Sequence, residues 1–189
     1  MIDKIIEFTK GKMNSDSSHG FDHVLRVVKF CEIIGKNENA EMEILIPAAY
    51  LHDIARPLEE KDESIDHAKV GSQMAFEFLK TIGYPHAEEI SYAISAHRFS
   101  KGLIPQTVEA KILQDADKLD AMGAMGIYRT IAYSVLNNRS FEETIAHFEN
   151  KILKLKDLMY TKTAKKMAEK RYAIVFEFVQ SLKEDITYH

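Results

Sequence analysis

The chain has 189 residues, of which 46% are hydrophobic and 29% charged, with only 8 Gly and 4 Pro; this balance fits one globular, helix-rich domain and excludes a disordered chain. A formal net charge of -4 gives no general attraction to polyanions, so no stable nucleic-acid complex is expected and small substrates are favoured. Cys31 is the single cysteine, which rules out an intramolecular disulfide and fits a core thiol in a reducing compartment.

The amino-terminal Met1-Ile2-Asp3-Lys4 carries charge too early for a signal peptide, and no window is long and apolar enough to span a bilayer. A cytoplasmic protein with no membrane partner is expected. Apolar residues recur at i, i+3, i+4 and i+7 from end to end, while alternating strand patterns are absent. The pattern predicts an all-α chain with helices over 2–12, 21–37, 41–56, 65–82, 86–98, 107–120, 123–137, 141–157 and 161–185.

Between these helices, Asn14-Ser15-Asp16-Ser17-Ser18 is turn-prone, Gly83-Tyr84-Pro85 stops a helix, and Gly102 with Pro105 marks a loop. None of these breaks reads as a linker and no internal repeat is present, so residues 1–189 are expected to form one domain. Lys162, Lys165, Lys166, Lys170 and Arg171 make the last helix locally basic, which reads as a solvated face.

The informative residues are polar groups on apolar stripes, because a buried polar group must be satisfied or it costs free energy. His23 leads the stripe Val27, Phe30 and Ile34. The run Ile46 to Ala55 is nearly all apolar, and its only polar pair is His52-Asp53. A divalent cation would compensate that pair, since imidazole and carboxylate both ligate transition metals. Asp117 continues the stripe of Leu113, while its neighbour Lys118 is expected to point elsewhere. His67 precedes Val70, Gly71, Met74 and Phe78, and His97 ends the stripe Ile90, Ala93 and Ile94. A core histidine bonded to a carbonyl would explain any one of these positions, but several together point to a site. His86, His147 and His189 are assigned no role.

The order His23, then His52-Asp53, then Asp117 resembles the pattern of the HD-domain phosphohydrolase superfamily. Asp22-His23-Val24 with Arg26-Val27, Leu51-His52-Asp53-Ile54-Ala55-Arg56, and Gln114-Asp115-Ala116-Asp117-Lys118-Leu119-Asp120-Ala121 carry the resemblance. It extends from His19 to Arg171. Lys151-Ile152-Leu153-Lys154-Leu155 and Ala168-Glu169-Lys170-Arg171 look like the small, stand-alone prokaryotic branch.

The resemblance implies a compact multi-helix bundle and a divalent-metal site with ligands His23, His52, Asp53 and Asp117. The nitrogen and oxygen donors suit Mn, Fe, Co, Ni, Zn or Mg, and the lack of thiolates argues against a closed structural zinc site. Such an ion lowers the pKa of a bound water and polarises a phosphoryl oxygen, so hydrolysis of a phosphate ester or anhydride, of a nucleotide or related small compound, is expected. Neither the P-loop nor the dinucleotide fingerprint is present. Arg26, Arg56 and Lys118, in that order, are candidates to contact the phosphate. The resemblance adds Arg129 and Arg171, and His19 as a substrate contact or helix-entry residue. A cap or surface role is the first reading for Asp120 and Asp115, which are also the candidate acid–base groups.

His67 and His97 imply either a second metal bridged through Asp53 or contacts to phosphate and attacking water. The competing functions are a di-iron oxygenase on the same framework and a non-catalytic nucleotide sensor. Oligomeric state is open, a homo-oligomer included.

Overall fold

The structure, a computed structural model, describes residues 1–13, 20–99 and 102–187. The expected turn at 14–18, the candidate His19 and the terminal His189 lie outside the described residues. Every regular element among the described residues is helical and none is a strand, in keeping with the all-α expectation. None of the described helices is long and apolar enough to cross a membrane. The chain forms two compact units, Met1–Ala116 and Asp117–His189.

The first unit contains α1 (Ile2–Lys12), α2 (Phe21–Glu38), α3 (Met42–Leu51), α4 (Arg56–Glu59), α5 (His67–Thr81), α6 (Ala87–Ser95) and the start of α7 (Val108–Asp120). Within it α3 packs against α1, α2, α5 and α6. Its sequence dictates that place: Leu45, Pro47, Ala48, Ala49 and Leu51 are all buried, and a helix apolar on nearly every side belongs inside. Burying Leu45 and Leu51 contributes roughly 1.5–3 kcal/mol each. Pro47 has no N–H to offer the Glu43 carbonyl, and the Tyr84 hydroxyl donates to that oxygen at 3.2 Å instead. Gly35 lets α2 approach α3 closely, because a Cβ there would lie 2.7 Å from Leu45 Cδ2 and 2.8 Å from Met42 Sδ.

Two expected helices of this unit end early, and each ending leaves a buried histidine outside the helix. The helix expected to reach residue 56 stops at Leu51, and residues 52–55 form a turn before α4. Pro57 explains why it cannot continue, since its ring would collide with the Asp53 carbonyl in a regular helix. The helix expected over 86–98 stops at Ser95, which leaves His97 in irregular backbone. Gln114 Nε2 donates to the Ala96 carbonyl at 3.1 Å and fastens that segment to α7. α5 starts at His67 because the Asp66 side chain accepts from the Ala68 and Lys69 N–H groups, an N-cap.

The second unit contains the end of α7, α8 (Gly123–Leu136), α9 (Phe141–His147), a π turn (Phe148–Ile152), a 3-10 turn (Leu153–Leu158) and α10 (Lys162–Thr187). Within it α10 packs against α8 and the 3-10 turn. The single helix expected over 141–157 changes its winding twice, and burial shows why. Thr144, Phe148 and Ile152 are buried at steps of four, and Leu155 follows after three. A wide π turn keeps the four-residue steps on one face, and a tight 3-10 turn suits the three-residue step.

Candidate metal centre

The first unit brings four histidines around one carboxylate. His23 comes from the first turn of α2, His52 and Asp53 from the turn after α3, His67 from the first residue of α5, and His97 from the segment after α6. All five are buried, each 1% exposed or less. The imidazoles of His23 and His52 meet with their Nε2 atoms 3.2 Å apart. Two groups of potential ligand atoms result: His23, His52 and Asp53, and Asp53, His67 and His97.

Asp53 faces both groups, with a different oxygen toward each. Its Oδ2 lies 3.6 Å from His23 Nε2 and 3.7 Å from His52 Nε2. Its Oδ1 lies 3.5 Å from the Nε2 atoms of both His67 and His97. Asp53 thus lies between the two groups and belongs to both.

The other nitrogens of three rings fix the tautomers. His52 Nδ1 lies 2.8 Å from the Ala49 carbonyl and His97 Nδ1 2.6 Å from the Ile94 carbonyl. A carbonyl only accepts, so each ring donates from Nδ1, which leaves Nε2 as the lone pair of the neutral imidazole. Both carbonyls belong to the last turn of a helix, and that of Ile94 also accepts from the His97 backbone N–H at 3.3 Å. His67 donates from Nδ1 to Glu59 Oε2 at 2.8 Å. Burial, with the Arg56 charge beside it, outweighs the attraction of Asp53 and Glu59 and pushes the His67 pKa down to about 4. Its ring is therefore neutral at pH 7, the form that ligates a metal.

Those lone pairs aimed at a carboxylate repel one another unless something positive lies between them. His67 Nε2 is buried with no hydrogen-bond partner among the described residues. The donor set, two histidines and one carboxylate oxygen on each side, fits a divalent transition metal. The Nδ1 partners are the outer contacts that orient metal-binding imidazoles.

Around this centre lie residues that the sequence reading ranked differently or missed. Arg56 pairs with Asp53 Oδ2 at 3.6 Å and with Glu59 at 2.8 Å, which places it beside the cluster. Arg26 is half-buried on α2, one turn beyond His23. Glu59 and Arg98 were not singled out, although Glu59 binds His67 and Arg98 donates to Glu59 Oε1 at 2.6 Å. Burial alone would raise the Glu59 pKa, but His67, Arg56 and the bond from Arg98 hold its carboxyl below the usual range.

In the second unit, Asp117 is half-buried near the end of α7. The expectation for Lys118 is overturned: its side chain is 1% exposed, with Nζ donating to the Leu158 carbonyl at 2.7 Å and 4.7 Å from the Tyr160 ring centroid. Asp115 and Asp120, first read as cap or surface residues, are buried too. The reason is that α7 is buried around most of its circumference at 112–120, so a one-stripe reading fails there. Arg129 donates to Asp120 Oδ2 at 2.6 Å, and Arg171 donates to the Met122 carbonyl at 3.2 Å.

Comparison with known proteins gives a consistent result. The HD domain family model matches residues 20–122. YpgQ of Bacillus subtilis (strain 168) is 32% identical over 181 residues, which cover 92% of this chain and 87% of YpgQ. The crystal structure of Bacillus subtilis YpgQ in complex with ADP matches with a TM-score of 0.79 at 29% identity, covering 98% of each chain. The crystal structure of an HD-superfamily hydrolase from Bacillus thuringiensis matches with a TM-score of 0.80 at 30% identity, covering 100% of this chain and 97% of that one.

Proposed function

This chain belongs to the HD-domain family, and from that premise we propose that it is a metal-dependent phosphohydrolase acting on a nucleotide or related small phosphorylated compound. The observation that carries the reading is the convergence of four buried imidazole Nε2 atoms on the two oxygens of Asp53. His23, His52 and Asp53 Oδ2 would hold one divalent ion, and Asp53 Oδ1, His67 and His97 a second. Asp117 keeps the ligand role that its family phrase implies. The metal is one of Mn, Fe, Co, Ni, Zn or Mg, and when bound it supplies a water of lowered pKa and a Lewis acid for a phosphoryl oxygen.

The chain's own residues orient and bind. The Ala49 and Ile94 carbonyls hold the His52 and His97 rings in their ligating tautomers. Arg56, partly exposed beside Asp53, is suited to grip a phosphate oxygen, since guanidinium matches phosphate bidentately. Arg26 and His19 are further proposed substrate contacts. Lys118, Asp120 and Arg129 keep proposed roles in catalysis and substrate binding. The ADP bound to YpgQ supports a nucleotide as the compound class, and residues 1–189 are proposed to act as one phosphohydrolase domain.

The test is metal analysis of the purified protein beside a panel of nucleotides, nucleoside monophosphates and cyclic phosphodiesters, scored for released phosphate and pyrophosphate. Bound metal and release from at least one compound are expected, and His52→Ala should lose both. Full turnover in His52→Ala would reject the mechanism. The two-sided Asp53 also suits a di-iron oxygenase, which bound iron and oxygen consumption without phosphate release would favour.

A further inference from the structure

Glu59 closes α4 and receives three donors on one carboxylate. Its Oε2 accepts from His67 Nδ1 at 2.8 Å and from Arg56 NH1 at 2.8 Å, and its Oε1 accepts from Arg98 NH1 at 2.6 Å. Arg98 directly follows His97 in the chain and also lies 3.5 Å from Oδ1 of Asp66, the residue that caps α5 immediately before His67. Both histidines on the Oδ1 side of Asp53 are thereby tied to Glu59, His67 directly and His97 through its chain neighbour. The Glu59 side chain is 15% exposed and His67 1%, so the brace sits between the buried cluster and solvent.

We propose that Glu59 is a positioning residue that selects the tautomer and orientation of His67, and so prepares the Asp53–His67–His97 group to hold its metal. The proposal rests on the two-ion reading above. An ionised carboxylate only accepts, so it requires Nδ1–H on His67 and leaves Nε2 as a lone pair facing Asp53. A glutamine at 59 would carry one accepting and one donating end, too few acceptors for three donors. The two guanidinium groups cannot give up their protons, so where the amide nitrogen faces His67 the imidazole is the partner that adapts. It would accept from the amide at Nδ1 and carry its proton on Nε2, where it would donate to Asp53 and could not ligate a metal.

The test compares wild type, Glu59→Gln, His67→Ala and the double variant by Mn(II) titration, with the His67 tautomer read by nitrogen NMR on the metal-free proteins. Wild type should bind two equivalents with His67 protonated on Nδ1. Glu59→Gln should move that proton to Nε2 and weaken one equivalent by about 10–100-fold while sparing the other. The double variant should bind no more weakly than His67→Ala, because Glu59 acts through His67. Glu59→Asp keeps the charge and covers the case in which the amide variant does not fold; it should retain Nδ1–H. An unchanged tautomer in Glu59→Gln, with both equivalents bound as in wild type, would overturn the proposal. Absence of bound Mn in wild type would overturn the two-ion reading instead, and the tautomer result would still judge Glu59.

Discussion

On the Oδ2 side of Asp53, His23 and His52 are held by apolar packing and backbone: α2 lies against α3 through Gly35, and the His52 ring is pinned to the Ala49 carbonyl. On the Oδ1 side, His67 depends on charged side chains: Asp66 starts its helix, Glu59 fixes its ring, and Arg98 links the two carboxylates. One half of the centre is thus set by burial and the other by a polar brace near solvent. The first should survive side-chain substitutions around it better than the second, because packing is spread over many contacts and the brace over few.

The most damaging break is at the residue both halves share. Asp53→Asn should remove both equivalents of bound Mn and reduce phosphate release to background; retention of either equivalent at wild-type affinity would show that the carboxylate does not bridge. Next come the single-sided variants. His23→Ala and His67→Ala should each abolish one equivalent and keep the other, as counted by calorimetric titration. Loss of both equivalents in either variant would mean that the halves are not separable. The smallest effect is expected from Asp66→Ala, which removes the α5 cap at a cost of about 1 kcal/mol. A melting curve should shift down by about 2–4 °C for that change, with only the His67 side weakened in the metal titration.

The same contrast explains what the sequence disclosed. His23, His52, His67 and His97 interrupt apolar stripes, and burial is what a stripe reports, so all four were legible and all four are inside. The apolar run before Asp53 likewise pointed to α3 as a core helix. Glu59 was illegible because it lies in the charged stretch Glu59-Glu60-Lys61-Asp62-Glu63, and which carboxylate of such a stretch meets His67 is decided by tertiary placement. Arg98 was hidden in the same way in the polar segment after α6. Lys118 was misplaced because a helix buried on most sides has no single stripe to read. The changes of winding after His147 follow from the spacing of buried residues, which becomes visible only once Phe148 and Ile152 are known to face inward.

The most direct test of the central claim, that Asp53 is shared by two cation sites, is anomalous diffraction at the manganese edge from crystals grown with Mn(II). The account predicts two peaks flanking the Asp53 carboxylate at coordination distance, one beside His23 and His52 and the other beside His67 and His97. Anomalous density remote from these imidazoles, with none at Asp53, would contradict it.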